Sequence, residues 1–216
     1  MPRYYPAFID VNQRRCVVIG GGHEGQKNVE KLLDCDAQVV VISPEVTDSV
    51  AEMANQNAIV WRQRQYQIGD LEGMFIAIAA TDDNTVNRQV AKEAEERNVL
   101  LNVVDVTHLC TFIAPSVARR GEVTIATSTG GASPALARTF REKLTSSRIL
   151  QYADLAPILA QARAELREKN VKVAPDDWQT QITDDLLDMV QADKHDEAYK
   201  ILMDGLLTEA TPIAVS

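Results

Sequence analysis

The 216-residue chain is 45% hydrophobic, enough for a folded core, and no apolar run approaches the ~20 residues that span a bilayer. Its net charge of −9 argues against general nucleic-acid binding. Cys16, Cys35 and Cys110 form no C-x-x-C pair and read as reduced thiols, and "MPRYYPAFIDVNQRRC" lacks the apolar block of a signal peptide, so a cytoplasmic location is expected.

In chain order, "RRCVVIGGG" is a short β-branched strand running into glycines, and "HEGQKNVEKLLDC" follows with helical spacing at Val29, Leu32 and Leu33. "AQVVVIS" is a second continuous apolar strand, stopped at Pro44. Continuous rather than alternating apolar runs indicate strands buried on both faces, as in a parallel sheet. "VTDSVAEMANQN" reads as a helix, "AIVWRQRQY" as an alternating strand nearer an edge, and "MFIAIAA" as another buried strand. "NTVNRQVAKEAEERN" is a helix with Asn84 as its N-cap, and "VLLNVVD" is the fifth strand. This order predicts a doubly wound, Rossmann-type α/β domain with a parallel sheet over residues 1–112.

The pattern then changes. "CTFIAPSVARRGEVTIATSTGG" is two strand-like runs around "RRGE", a hairpin signal, and Ser133 with Pro134 starts a helix carrying Leu136, Ala137, Phe140 and Leu144. This small α+β segment, 113–148, is short for an independent core and is expected to be a dimerisation segment shared by two chains. From 149 onward no strand signal remains. "ILQYADLAPILAQARAELREKN", "DDWQTQITDDLLDMVQAD" and "DEAYKILMDGLL" read as three amphipathic helices of a C-terminal helical domain, 149–216, and "TEATPIAVS" as a frayed tail. Charge is uneven: residues 113–150 carry six basic side chains (Arg119, Arg120, Arg138, Arg141, Lys143, Arg148) against two acidic ones. Such an island suits a polyanionic small molecule or a solvated helix face equally well.

Gly20, Gly22 and Gly25 form G-x-G-x-x-G between the first strand and the first helix. The first glycine permits a tight turn, the second lets backbone approach a pyrophosphate, and the third lets the helix pack close to the sheet. The anion would sit on the free N–H groups of the helix N-terminus, at His23, Glu24 and Gly25. The second strand ends in "VISPE" instead of the usual acid. Ser43 and Pro44 then border the cofactor, Ser43 could bond a ribose, and Glu45 lies just beyond. No arginine is there to receive a 2′-phosphate, so NAD is expected over NADP. In "IAATDDNTVN", Thr81 and Asp82 either face the cofactor or belong to a capping turn, and both can hold.

A Tyr-x-x-x-Lys pair, a G-x-S-x-G elbow and a P-loop are all missing. Chemistry at a dinucleotide then needs another acid or base. Asp105 stands where the fifth strand should meet the cleft, with His108 and Cys110 just past it. As a metal set these three are poor, because D-x-x-H-x-C matches no common ligand spacing and mixes hard and soft donors. No resident metal is expected, and Cys110 reads as a core residue.

The stretches "YYPAFIDVNQRRCVVIGGG", "IAIAATDDNTVN" and "NVVDVTHLCTFIAPSVARRGEVTIATSTGGASPALARTFREKL" resemble the precorrin-2 dehydrogenase family of siroheme synthesis, from about Tyr5 to Leu144. The resemblance implies NAD⁺-dependent oxidation of precorrin-2 to sirohydrochlorin, with Fe²⁺ insertion as a second activity of some members, and a homodimer. It implies that Asp105 of "NVVD" is the key active-site carboxylate, with Asn102 in the same motif near the cofactor. It places Ser128 and Thr129 near the tetrapyrrole. It also gives Arg119, Arg120, Arg138 and Arg141 a purpose, as partners for substrate carboxylates. Some members carry a phosphorylatable serine where this chain has Thr129. His23, Glu24 and Gly25 depart from the family's G-G-G-x-V-A loop, a change that backbone contacts tolerate. No methyltransferase domain is seen, so synthesis of precorrin-2 itself is not expected. His108 is a weak candidate for delivering iron. The rival from another class is a non-catalytic NAD-sensing module. It would need the glycine loop but not "NVVD" and "STGGASPALA" together.

Overall fold

The computed structural model describes residues 4–208 and 211–212. The chain divides into two compact units. One runs to Ala114 and includes Gly130–Ala132; the other comprises Pro115–Thr129 and the chain from Ser133 on.

The first unit is a five-stranded parallel sheet in the order β3-β2-β1-β4-β5, built from β1 (Arg15–Gly21), β2 (Gln38–Val46), β3 (Val60–Arg62), β4 (Ile76–Ala79) and β5 (Leu100–Val103). Each central strand sends alternate side chains into two different cores. Val17, Ile19, Val40, Ile42, Ala77, Ala79, Leu101 and Val103 share one face with Val90 and Ala94 of α3 (Asn84–Arg97). Cys16, Val18, Val39, Val41, Ile76 and Ile78 share the other with Val29 and Leu32 of α1 (His23–Leu33) and Val50 of α2 (Asp48–Asn55). A strand covered on both faces needs apolar residues at every position, which is why these runs do not alternate. The chain steps outward from β1 to β3, then returns to β4 beside β1. The strand order reverses there, so the cleft at the carboxyl ends of β1 and β4 is the switch point where such folds bind ligands.

Three sequence expectations shift. The strand read over "AIVWRQRQY" ends at Arg62, because Arg64 and Tyr66 turn to Asp70 and Glu93. β2 does not stop at Pro44. Its pairing with β1 breaks after Ile19↔Ile42 and resumes at Gly21↔Val46, so the strand bows out around Pro44 and rejoins. Proline has no N–H for the ladder, and a bulge accommodates it. The N-cap of α3 is Asp83, not Asn84: the Asp83 carboxylate accepts from the N–H groups of Thr85 (2.7 Å) and Val86 (3.2 Å). Those two donors hold its pKa below the ordinary carboxylate value.

The second unit opens with the hairpin of β6 (Ser116–Arg120) and β7 (Val123–Thr127), closed by two residues with Gly121 at φ +53°. Glycine takes that left-handed conformation at no steric cost. α4 (Pro134–Thr145) follows, with the Ser133 hydroxyl accepting from the Leu136 N–H at 3.2 Å as expected. The three predicted helices are more broken than their periodicity suggests. The first divides into α5 (Arg148–Gln151), a 3₁₀ turn at Tyr152–Leu155 and α6 (Ala156–Glu168), where Pro157 fits only the first turn of a new helix. The second divides into α7 (Pro175–Gln181) and α8 (Asp184–Gln191), because the Thr183 side chain caps a fresh start by accepting from Leu186. α9 (His195–Thr208) is continuous. Leu155, Ile158, Ala162, Leu166, Leu187, Leu202 and Leu206 join in one core. Two-residue strands, β8 (Val171–Lys172) and β9 (Thr211–Pro212), pair antiparallel where no strand was expected; two residues carry no readable period. The rest of the expected tail after Thr208 lies outside the described residues. Among the described residues no helix is long and apolar enough to cross a membrane.

Candidate functional site

The glycine loop leaves β1 with Gly20 at φ +107°, and a Cβ there would lie 2.2 Å from the Ala80 carbonyl oxygen. A Cβ at Gly25 would lie 2.2 Å from the Gly20 carbonyl oxygen, so this glycine lets α1 close onto the loop. At Gly22 a Cβ would meet nothing within 4 Å, which leaves its outer face open. Gly22 is also the N-cap of α1 and supplies no capping side chain; the first helical bond runs from Gln26 N–H to Gly22 O at 2.9 Å. The N–H groups of the first turn, from His23 to Gly25, therefore point out of the helix beside an open glycine. That is the donor set a pyrophosphate needs, and the cradle fits the cofactor expected from the motif. The His23 and Glu24 side chains are exposed, and Glu24 pairs with Lys27 at 2.6 Å.

The bulge of β2 lies against this loop. Ser43 is buried at 8% exposure, its hydroxyl donating to Glu45 O at 2.6 Å, while Trp61 Nε1 donates to Ser43 O at 2.9 Å. Pro44 and Glu45 are exposed. On the far side of β1, Thr81 follows β4; its hydroxyl accepts from Asp83 N–H (3.2 Å) and its carbonyl from Asn87 Nδ2 (3.1 Å). Asp82 is exposed.

The register aligns Ile19 with Ala79 and Ala79 with Val103, so the strands end level. Gly20, Thr81 and Asp105 leave the sheet from that common edge. Strand β5 stops at Val103, and Asp105 sits two residues on, exposed, in a left-handed turn at φ +60°. His108 is exposed in a short 3₁₀ turn. The chain then doubles back along β5. Thr111 N–H donates to Leu101 O (2.9 Å), Leu101 N–H to Thr111 Oγ1 (2.7 Å), and Val103 N–H to Cys110 Sγ (3.2 Å). Asn102 Nδ2 donates to Phe112 O at 3.1 Å. The returning segment thus covers the open edge of the sheet, with the Cys110 thiol standing in for a backbone acceptor. Burial pushes that thiol above its ordinary pKa, partly offset by the Val103 N–H. Among the described residues, no group of three His, Cys, Asp or Glu side chains is placed to hold a metal ion.

The other singled-out residues belong to the second unit. Arg120 forks onto Asp154 (2.6 and 2.7 Å), Arg138 pairs with Glu142 (2.6 Å), and Arg141 lies 3.8 Å from Glu142. The Arg138 and Arg141 pairs are exposed and contribute little stability, whereas the Arg120 fork holds a partly buried Asp154. Arg119 and Ser128 are exposed on the hairpin and just after it. Thr129 Oγ1 donates to Ser133 O and accepts from Ser133 N–H, both at 3.1 Å, closing the loop before α4. Two residues near the cleft escaped the sequence reading. Gly21 is buried against β2, where a Cβ would lie 2.4 Å from Glu45 O, and the unbroken G-G-G run was its only signal. Asn87 is 2% exposed, with its Oδ1 unpartnered beneath the Thr81 loop; on a helix face that also carries Val90 and Ala94 it gives no signal.

Residues 7–116 match an NAD(P)-binding family model, NAD_binding_7. The chain is 32% identical over 207 residues to a siroheme synthase of Ruthia magnifica subsp. Calyptogena magnifica, covering 94% of this chain and 44% of that protein. It is 34% identical over 208 residues to siroheme synthase 2 of Klebsiella pneumoniae, covering 95% and 46%. The chain thus spans less than half the length of these curated relatives. A solved structure described as SirC, precorrin-2 dehydrogenase, shares the fold at TM-score 0.73 and 22% identity, covering 93% of this chain and 100% of that one. The resemblance read from the motifs is therefore matched in sequence and in fold.

Proposed function

This chain belongs to the NAD(P)-binding family, and from that premise we propose that it oxidises precorrin-2 to sirohydrochlorin with NAD⁺ in siroheme synthesis. The observation that carries the reading is the common edge of the sheet. The open cradle at Gly22 and the exposed carboxylate of Asp105 leave the same carboxyl edge of the sheet, from β1 and β5 on either side of β4.

The nicotinamide, when bound, supplies the redox chemistry by accepting a hydride. The chain's own part is binding, alignment and proton handling. The first turn of α1 holds the cofactor's phosphates on backbone N–H groups. Asp105, free of any fixed partner among the described residues, takes the proton that leaves the macrocycle or orients its pyrrole N–H groups. Arg119, Arg120, Arg138 and Arg141 hold substrate carboxylates, exchanging their intramolecular partners for them. Ser128 and Thr129 border the tetrapyrrole in the same reading, and Asn102 acts near the cofactor by fixing the turn that carries Asp105. NAD is preferred over NADP. The residue ranges 1–112, 113–148 and 149–216 act as cofactor-binding, dimerisation and helical domains of a homodimer. Cys16, Cys35 and Cys110, with no C-x-x-C pair among them, suit the reducing cytoplasm.

Anaerobic incubation with precorrin-2 and NAD⁺ tests the activity. NADH and sirohydrochlorin should form together, and the absence of both would leave only a non-catalytic NAD-binding module. Asp105→Asn is the sharper variant, because asparagine also tolerates the left-handed turn and only the charge is removed. It should lower kcat by roughly 10²–10⁴-fold while NADH binding stays. Iron enters this reading only as a substrate. Comparing Fe²⁺ insertion into sirohydrochlorin with and without the protein tests that step.

A further inference from the structure

We propose that Glu45 is the residue that makes this site select NAD over NADP, an inference that rests on reading the crevice as an NAD site. In dinucleotide folds an acid at the end of the second strand bonds the ribose hydroxyls and repels a 2′-phosphate. Ser43 occupies that place here, but it is turned inward. Its hydroxyl is spent on Glu45 O and its carbonyl on the Trp61 indole, and only 8% of the residue is exposed. The bulge then carries the strand two residues further.

Three contacts lock residues 45–47 to the cofactor cradle. Val46 pairs with Gly21, Thr47 N–H donates to Gly21 O at 3.0 Å, and Thr47 Oγ1 donates to Gln26 Oε1 of α1 at 2.7 Å. The Glu45 carbonyl lies so close to Gly21 that a side chain there would collide with it. Glu45 is therefore held beside the glycine loop by its backbone while its side chain stays exposed. Among the described residues, no donor meets its carboxylate.

The positive charges on this flank are occupied. Strand β3 brings Arg62 beside Ile42 of β2, but Arg62 is bound to Asp70 (3.0 Å), and so is Arg64 (2.6 Å). A 2′-phosphate would meet an unpaired carboxylate and two guanidinium groups already committed to an acid. Ribose hydroxyls would find an acceptor instead.

The test titrates NADH and NADPH into the full chain, following nucleotide fluorescence, for wild type, Glu45→Gln and Glu45→Arg. Glu45 is exposed, so both variants should keep the wild-type thermal midpoint. Wild type should bind NADH about tenfold or more tightly than NADPH, Glu45→Gln should narrow the gap, and Glu45→Arg should close or invert it, mainly by gaining NADPH. If both variants keep the wild-type ratio, Glu45 is not the selector, although the NAD preference stands. If wild type itself does not prefer NADH, the NAD reading fails, and the role of Glu45 with it.

Discussion

Gly22 and Gly25 stand three residues apart and answer to different constraints. Gly25 is excluded from change by the fold: a methyl group would collide with the backbone oxygen of Gly20, which cannot move without dragging the end of β1. Gly25→Ala should cost roughly 1–3 kcal/mol or more of stability, read as a lower urea midpoint whether or not a nucleotide is present. Gly22 has open space around it and an ordinary φ of −72°, so alanine fits the apo fold at the expense of a weaker N-cap. Gly22→Ala should leave the urea midpoint nearly unchanged and weaken NADH binding, because the methyl group intrudes where backbone must approach the phosphates. Equal losses of stability in the two variants would refute this division of roles. The motif assigns the two glycines these different roles, and the distances show what each would cost to replace. Cys110 is a different case. Its nearness to Asp105 and His108 raises the question of a ligand cluster, which their spacing disfavours, and its thiol accepts the Val103 N–H and closes the edge of the sheet.

The connection from β3 to β4 is the element least legible in the sequence: its first residues, to Tyr66, are expected to continue the strand, and the rest has no reading. It has no apolar period; Leu71 and Met74 reach the core, and polar contacts hold the chain around them. Glu93 of α3, 3% exposed, accepts from the Tyr66 hydroxyl, from the N–H groups of Gly69 (2.9 Å) and Leu71 (3.4 Å), and from Arg97 Nε (2.7 Å). Asp70 gathers Arg62, Arg64 and the Gln67 N–H. Burial alone would raise the Asp70 pKa, but Arg64, the Gln67 N–H and Arg62 outweigh it and hold the carboxyl below its ordinary value. A folded pKa below the unfolded one means that Asp70 contributes stability above the ordinary carboxylate range and loses it as pH falls through the depressed value. Urea unfolding between neutral and acid pH should therefore show a shallower acid loss in Asp70→Asn than in wild type, with the variant already less stable at neutral pH. Identical slopes would remove Asp70 from the acid response. The strands and α1 to α3 were legible because burial on both faces of a parallel sheet imposes continuous apolar runs between helical periods. The bulge at Pro44, the restart at Thr183 and the β3–β4 connection were not, because caps, hydroxyls and buried carboxylates act through pairings that no spacing announces. At the site, the cradle and Asp105 could be read from glycines and strand ends. The inward turn of Ser43 depended on the carbonyl of a residue two places away.

For the whole molecule, the two units differ in how well they bury themselves. In the first, both faces of the sheet are covered. In the second, the helices from Leu155 to Leu206 share a core, but α4 has no buried residue, and Ala118 is the one buried residue of the hairpin before it. Leu136 and Phe140, one turn apart on α4, are 46% and 45% exposed. We read these adjacent large apolar side chains, left half in water, as part of the proposed dimer surface. The segment also carries the basic excess of an otherwise acidic chain, so two copies meeting here would bring eight of the candidate carboxylate-binding arginines into one assembly, four from each. The proposed dimer thus supplies what the segment lacks, cover for α4, and concentrates the charge that a polycarboxylate substrate needs. Leu136→Asp combined with Phe140→Asp should yield a monomer by sedimentation while far-ultraviolet circular dichroism stays that of wild type, since neither side chain belongs to a core. Precorrin-2 turnover should fall in that monomer while NADH binding is kept, because the cradle at Gly22 lies wholly within the first unit. A double variant that still sediments as a dimer, or a wild type that is monomeric at every concentration, would show that α4 serves some other purpose.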